Sequence, residues 1–328
     1  MHIPDNYLSP STCAAFGVIM LPIWRRASLK VKDEMTRQKM PLLGVAAAFS
    51  FLIMMFNVPL PGGTTGHAIG GALAAILLGP YSAVFAVTIA LVIQALFFGD
   101  GGILAIGVNC FNMAFIMPFT AFYLFKLIKK LFRNQRGEYI AAFLGAYISV
   151  NMAALFAAVE FGIQPLLFKD STGLPLYSPY GLAVSIPAMM VPHLLVVGVL
   201  EGIITVGAYS YIKKALPDII YKGKVESSKA KYLYIVIGIL ILAAPLGLLA
   251  NGGAWGEWGS EEIKNLLGFV PKGMEKGFQY SSLFQDYSFK FLNKYFGYIL
   301  SALVGVIVIL IIFKTLGKIN LKKNVKGD

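Results

Sequence analysis

Charge is what this chain has least of. Asp, Glu, Lys and Arg make up 13% of its 328 residues, about half the share of an ordinary soluble domain, roughly 25%. Apolar residues reach 57% and the mean hydropathy is +0.72. A water-soluble globule has no interior large enough to hide that much apolar surface, so lipid is the expected solvent. Two cysteines exclude a disulfide scaffold and a Cys₄ metal site. The sequence has no GxxxxGK[ST] stretch and so no Walker cradle for ATP phosphates. It also lacks HExxH and CxxCH, which removes a membrane metalloprotease and covalent haem attachment. The first ten residues, MHIPDNYLSP, contain neither Lys nor Arg, so the charged start of a cleavable signal peptide is missing. The expected mature chain therefore starts at Met1. No period marks an internal repeat.

In place of charge there are long apolar runs. Those able to cross about 30 Å of hydrocarbon are read near 11–24, 42–58, 67–79, 81–98, 103–125, 139–161, 183–212, 232–250 and 295–313. The first and third fall short of the usual ~20 residues. The seventh carries Pro187 and Pro192, which predict a kink. Net charge is +12, and its placement is uneven. Segments 25–39, 126–138, 213–231 and 314–328 hold 22 of the 28 Lys and Arg, whereas 1–10, 59–66 and 99–102 hold none. The long segment 251–294 is the exception, with five Lys offset by five acidic residues. By the positive-inside rule this alternation predicts an all-α polytopic membrane protein. It would have about nine transmembrane helices, with the N-terminus outside and the C-terminus inside. The surplus charge is then loop charge, and no nucleic-acid partner is expected.

The same order of elements predicts two units. Residues 1–212 form a compact seven-helix set. A basic cytoplasmic linker, 213–231, leads to a two-helix region at 232–328 with a long external loop.

Only three histidines occur, His2, His67 and His193. The topology puts His2, His67 and Asp100 on the external face. A free amino terminus, the amide nitrogen between residues 1 and 2 and an imidazole on residue 2 close two fused chelate rings on one ion. Such a nitrogen-rich plane suits Cu(II), Ni(II) or related d⁸ and d⁹ ions, and His67 is available as a fourth nitrogen. The plainer reading makes His2 an arbitrary second residue and His67 a histidine bonded to backbone. Within or near the apolar runs lie Gln94, Asn109, Asn112, Asn151, Glu160, His193 and Glu201. Interhelical hydrogen bonding accounts for most groups of this kind, but a buried carboxylate is costly enough to suggest a role. Glu201 is read toward the cytoplasmic half of the seventh span, away from the metal candidates, as a residue for coupling to a partner. His193, between Pro192 and Leu194, reads as a packed histidine.

The string from Met1 to Pro10 resembles the opening of the CbiM/NikM family, the cobalt/nickel substrate-binding components of energy-coupling-factor transporters. The resemblance continues in GGTTGHAIGG (62–71), QALFFGDGG (94–102), GVNCFNM (107–113) and PHLLVVGVLEG (192–202). Asn6 stands where the family usually has glycine, and Asn tolerates a left-handed backbone well enough to keep the turn. Pro271-Lys272-Gly273-Met274-Glu275 is similar to a degenerate PDGLE signature of a companion subunit carried as a fusion. The resemblance implies a component, not an enzyme, that captures Co(II) or Ni(II) as transported substrate, without a bound organic cofactor. It implies Met1, His2 and His67 as metal ligands, with Gln94, Asp100, Asn109 and Asn112 as candidates for a supporting shell. It further implies a bacterial or archaeal plasma membrane, a coupling transmembrane subunit and two ATPase subunits. The competing reading is a gradient-driven secondary transporter that uses Glu160 or Glu201 as its coupling carboxylate. No nucleophile, base and orienting group come together in the sequence to support an enzyme.

Overall fold

The computed structural model describes residues 1–34, 40–222, 227–250 and 252–324. Helix α1 (Pro10–Glu34) is followed by α2 (Met40–Met54) and by a hairpin of β1 (Val58–Leu60) and β2 (Thr64–Gly66). The hairpin is antiparallel, with Val58 opposite Gly66. Then come α3 (Gly71–Leu78), α4 (Pro80–Phe98), α5 (Ile106–Leu131), α6 (Gln135–Leu167) and α7 (Leu182–Ala215). The C-terminal region contributes α8 (Pro217–Lys222), α9 (Lys231–Leu249), the short α10 (Ser260–Leu267) and α11 (Lys272–Glu275), and α12 (Lys294–Asn324).

Among the described residues, six helices are long and apolar enough to cross a membrane: α4, α5, α6, α7, α9 and the Lys294–Lys318 part of α12. The 15-residue α2 is apolar but shorter. The third expected span, 67–79, needs correcting. Only Gly71–Leu78 is helical, and eight residues at 1.5 Å each reach about 12 Å. Residues 67–70 are irregular, and Gly70 adopts φ +74°, a left-handed conformation that breaks the helix before it can extend backwards. That break keeps His67 off a regular helix.

Small side chains line the buried face of α6, and many large apolar ones elsewhere face outward. On α6, Ala141, Ala142, Ala146, Ala153, Ala154, Ala157 and Ala158 are all fully buried. Leu21, Leu127, Ile203, Leu242 and Ile311 are exposed. Small residues let helices approach closely, and lipid makes the apolar exterior harmless. Helices α9 and α12 pack on α2. Gly305 of α12 makes that approach possible, since a Cβ there would stand 2.2 Å from the Phe51 ring.

Three helices contain π-helical turns, Gln94–Phe98 in α4, Cys110–Ile116 in α5 and His193–Val197 in α7. Such turns insert a residue and re-aim the helix face, often at functional positions. Here they carry the buried polar residues Gln94, Asn112 and His193.

The segment between α9 and α12 folds back over the N-terminal unit. Thr65 pairs with Ala254, and Gly273 N–H donates to the Leu176 carbonyl at 2.8 Å. Phe284 N–H donates to the Phe97 carbonyl at 2.8 Å, and Tyr280 donates to that of Leu96 at 3.0 Å. Lys272, which replaces an acidic residue of the PDGLE signature, pairs with Asp170 at 2.7 Å.

Candidate metal centre

The first nine residues are threaded into the helical bundle. Asn109 clamps Ile3 from both sides: its Oδ1 accepts from Ile3 N–H at 2.8 Å and its Nδ2 donates to the Ile3 carbonyl at 3.0 Å. Gly102 N–H also donates to that carbonyl, at 2.9 Å. The carboxylate of Asp5 accepts from the amides of Ile103 and Leu104 at 2.9 and 2.8 Å. A Cβ on Gly102 would lie 2.4 Å from Asp5 Oδ1, so no side chain fits at that crossing. Asn6 takes φ +71°, the left-handed turn expected of it, and donates through Nδ2 to the Phe278 carbonyl at 2.8 Å. Further on, Gln164 Oε1 accepts from Ser9 N–H, and Tyr7 donates to the Trp258 carbonyl at 2.7 Å.

This threading buries Met1 and His2 and brings His2 beside His67. The two imidazole centroids are 5.2 Å apart with planes 31° from parallel. His2 Nδ1 donates to Asp100 Oδ1 at 2.8 Å, while its buried Nε2 has no partner. His67 Nδ1 donates to the Ala68 carbonyl at 3.0 Å, which leaves the lone pair on Nε2. Burial lowers the His67 pKa to about 3, and the charges of His2 and the amino terminus add to the effect. His67 is therefore neutral at physiological pH, the form that binds metal. At Asp100 burial opposes ionisation, but the charge and hydrogen bond of His2 outweigh it and hold the carboxyl well below its usual range.

The C-terminal region supplies two groups that the sequence did not suggest. Glu257 Oε1 lies 3.7 Å from the Met1 amine. Tyr287 donates to Asp100 Oδ2 at 2.6 Å, receives from Gln94 Nε2 at 3.1 Å and stacks on Phe98 at 4.8 Å. Asp286 and Tyr287 both have positive φ, 54° and 56°. Two successive strained residues persist only where their surroundings hold them, and here they aim the phenol at Asp100.

The residues expected as a supporting shell have different partners. Asp100 bonds His2, Gln94 bonds Tyr287, and Asn109 bonds Ile3. Asn112 instead donates to Glu160 at 2.6 Å, and no bond joins it to the first three residues. The placement of Glu201 also needs correcting. It is not remote from the metal candidates: its carboxylate accepts from Ile69 N–H at 2.6 Å and Gly70 N–H at 3.0 Å, two and three residues beyond His67. It is fully buried and stitches the irregular loop to α7. Charge-assisted bonds to buried amides are worth about 1.5–3 kcal/mol each. Glu201→Ala should thus cost about 3 kcal/mol of stability and weaken metal binding, with Glu201→Gln between it and the wild type. Unfolding and calorimetric titration read both effects, and an alanine variant matching wild type in both would refute this anchoring.

Among the described residues no three His, Cys, Asp or Glu side chains gather into a ligand set. His2 lies beside His67, and Met1 and His67 line one small cavity.

The cobalt uptake substrate-specific transmembrane region matches residues 2–219, and the PDGLE domain matches residues 229–322. The probable fused nickel transport protein LarMN of Lactiplantibacillus plantarum is 45% identical over 96% of this chain and 97% of its own. The fused nickel transport protein NikMN of Rhodobacter capsulatus is 44% identical over 94% of this chain and 95% of its own. A crystal structure of a transition metal transporter is 47% identical and superposes with a TM-score of 0.63, covering 72% of this chain and 99% of that one.

Proposed function

The chain belongs to the CbiM family, the cobalt uptake substrate-specific transmembrane region, with a PDGLE domain joined behind it, and from that membership we propose that it captures Co(II) or Ni(II) at its amino terminus. It is a multi-pass cell-membrane transport component, not an enzyme. The proposed ligands are the Met1 amine, the His2 amide nitrogen and imidazole, and His67 Nε2. One observation carries the reading: residues 1 and 2 are buried in the bundle next to His67, whose Nδ1 donates to the Ala68 carbonyl and leaves the lone pair on Nε2.

A chelate through the residue 2 amide closes with Nδ1, because Nε2 is too far along the ring. His2 Nδ1 donates to Asp100 in this structure, so loading would break that bond and release the Nδ1 proton, along with that of the amide, to solvent. The deprotonated amide would add negative charge to the donor set, and the ion would offset it. Glu201, which holds the His67 loop from α7, gives movement of that helix a direct route to one ligand.

The fuller arrangement we propose has units at 1–212 and 232–328 joined by a basic cytoplasmic linker. The amino terminus is outside and the carboxyl terminus inside. A coupling transmembrane subunit and two ATPase subunits power uptake, since this chain lacks a phosphate cradle. The test is radioactive nickel and cobalt uptake in cells that express this chain with the partner subunits. Replacing the Walker lysine of the ATPases should reduce uptake to background while metal binding by the purified chain persists. Undiminished uptake would instead favour a gradient-driven transporter.

A further inference from the structure

We propose that the groove between α2, α9 and α12 binds one anionic phospholipid, its phosphate held by Lys314 and Lys318 and its acyl part lying against the apolar walls. The groove measures about 470 Å³. Its lining includes Met40 of α2, Tyr234 of α9, and Phe313, Lys314, Gly317 and Lys318 of α12. A single water needs only about 10–15 Å³, so the space suits a ligand of many atoms, and a bare ion would leave most of it empty. No residue of the groove is among the proposed metal ligands, so the inference stands apart from that reading.

Lys314 and Lys318 lie one turn apart on α12, and side chains at that spacing are neighbours, with Cβ atoms about 5–6 Å apart. Both are exposed, and among the described residues no carboxylate pairs with either. Lysines near the end of a membrane helix commonly snorkel to the surface with nothing particular to bind. Here the two cations adjoin an apolar groove built by three helices. Phe313 precedes them on α12, so the charges lie toward the helix end and the apolar wall toward the membrane interior. That order matches a phospholipid, phosphate at the surface and hydrocarbon beneath it. Ile235 and Ile311, on the same two helices as Tyr234 and Phe313, are exposed, so the flank of the groove faces lipid.

Charge decides which lipid. Three basic segments, 25–39, 213–231 and 314–328, adjoin this end of α2, α9 and α12. The positive-inside pattern assigns that end to the cytoplasmic leaflet, where the anionic lipids are. Basic pockets between membrane helices on that side are suited to anionic headgroups. Each lysine near such a surface contributes about a fivefold preference. Two unpaired lysines therefore select a lipid of net negative charge over a zwitterionic one. The groove also lies where the C-terminal helices α9 and α12 meet α2 of the N-terminal unit, so a lipid seated there touches both units and should stabilise their contact.

The purified full chain, washed with micelles containing phosphatidylcholine and then titrated with phosphatidylglycerol, tests this by native mass spectrometry and thermal melting. One phosphatidylglycerol should be retained and should raise the melting temperature, whereas added phosphatidylcholine should do neither. Lys314→Gln combined with Lys318→Gln keeps most of each stem and removes both charges. Its phosphatidylglycerol affinity should fall about thirtyfold, with melting in phosphatidylcholine alone unchanged. Gly317→Leu keeps both lysines but fills the groove, since a Cβ there already stands 3.7 Å from Met40, and it should also lose the lipid. Lys126→Gln combined with Lys130→Gln, an exposed pair of the same spacing on α5, should retain it. Equal retention of the two lipids by wild type, or wild-type phosphatidylglycerol affinity in the Lys314/Lys318 variant, overturns the proposal. So does an equal loss in the Lys126/Lys130 variant, which would mean general surface charge. If the Lys314/Lys318 variant keeps the lipid but no longer copurifies with the coupling subunit, the groove belongs to that protein partner and the lipid assignment is wrong.

Discussion

One residue added ahead of Met1 should abolish high-affinity metal binding and reduce uptake to background. The added residue turns the terminal amine into a peptide nitrogen, a far weaker donor, and shifts the new amine one residue away from the His2 chelate. Packing opposes the extension as well. Ile3 is clamped by Asn109 and Gly102, so the segment cannot slide outward to make room. The cavity beside Met1, about 20 Å³, has room for about one water-sized body. The same chemistry sets the pH dependence. The amine and the amide must lose protons to coordinate, so affinity should fall as pH falls. His67, already neutral down to about pH 3, adds no competition above that point. The comparison is between the native start, a retained N-terminal glycine and a C-terminal tag, each followed by calorimetry and uptake. Full binding by the glycine-extended protein would overturn the amino-terminal site.

His67→Ala should remove tight binding just as completely while the bundle still folds. The imidazole sits in an irregular loop whose position is held by Glu201 through the neighbouring amides, not by His67 itself. Its own Nδ1 donates to the adjacent Ala68 carbonyl. Removing it should cost about 1–2 kcal/mol, the range of an ordinary buried substitution, and should leave a three-nitrogen fragment with no fourth donor. His67→Gln, closer in volume, separates the lost donor from the lost packing. Wild-type affinity in both variants would exclude His67 as a ligand.

Much of this site was legible in sequence because its parts lie at informative places. A histidine at position 2, a glycine-flanked histidine after a glycine-rich loop and an aspartate after a glycine-flanked span end are local signals. Helical character followed from apolar runs alone. The rest depends on contacts that no local pattern encodes. Glu257 and Tyr287 reach the site from loops some 250 residues beyond the amino terminus. Glu201 reads as remote because its place along the seventh span puts it in the cytoplasmic half, and no local pattern shows that the amides of Ile69 and Gly70 reach it. The π-helical turns at 94–98, 110–116 and 193–197 shift the facing of every residue after them. A regular 3.6-residue period therefore does not carry through these helices. Asn112, buried in the second of these turns, faces Glu160.

Glu257 and Tyr287 arrive on a covalent tether, anchored by α9 and α12 against α2. Their local concentration at the Met1–His2 site is then fixed by chain length, in the millimolar range typical of short tethers, whatever the abundance of the protein in the membrane. Dilution into detergent cannot strip them away, and partial expression cannot leave a site without them. Were the same two groups carried by a separate chain, occupancy of the Asp100 bond would follow mass action and vary with the ratio of the two polypeptides. Joining the chains makes the completed site a property of each molecule instead of a population average.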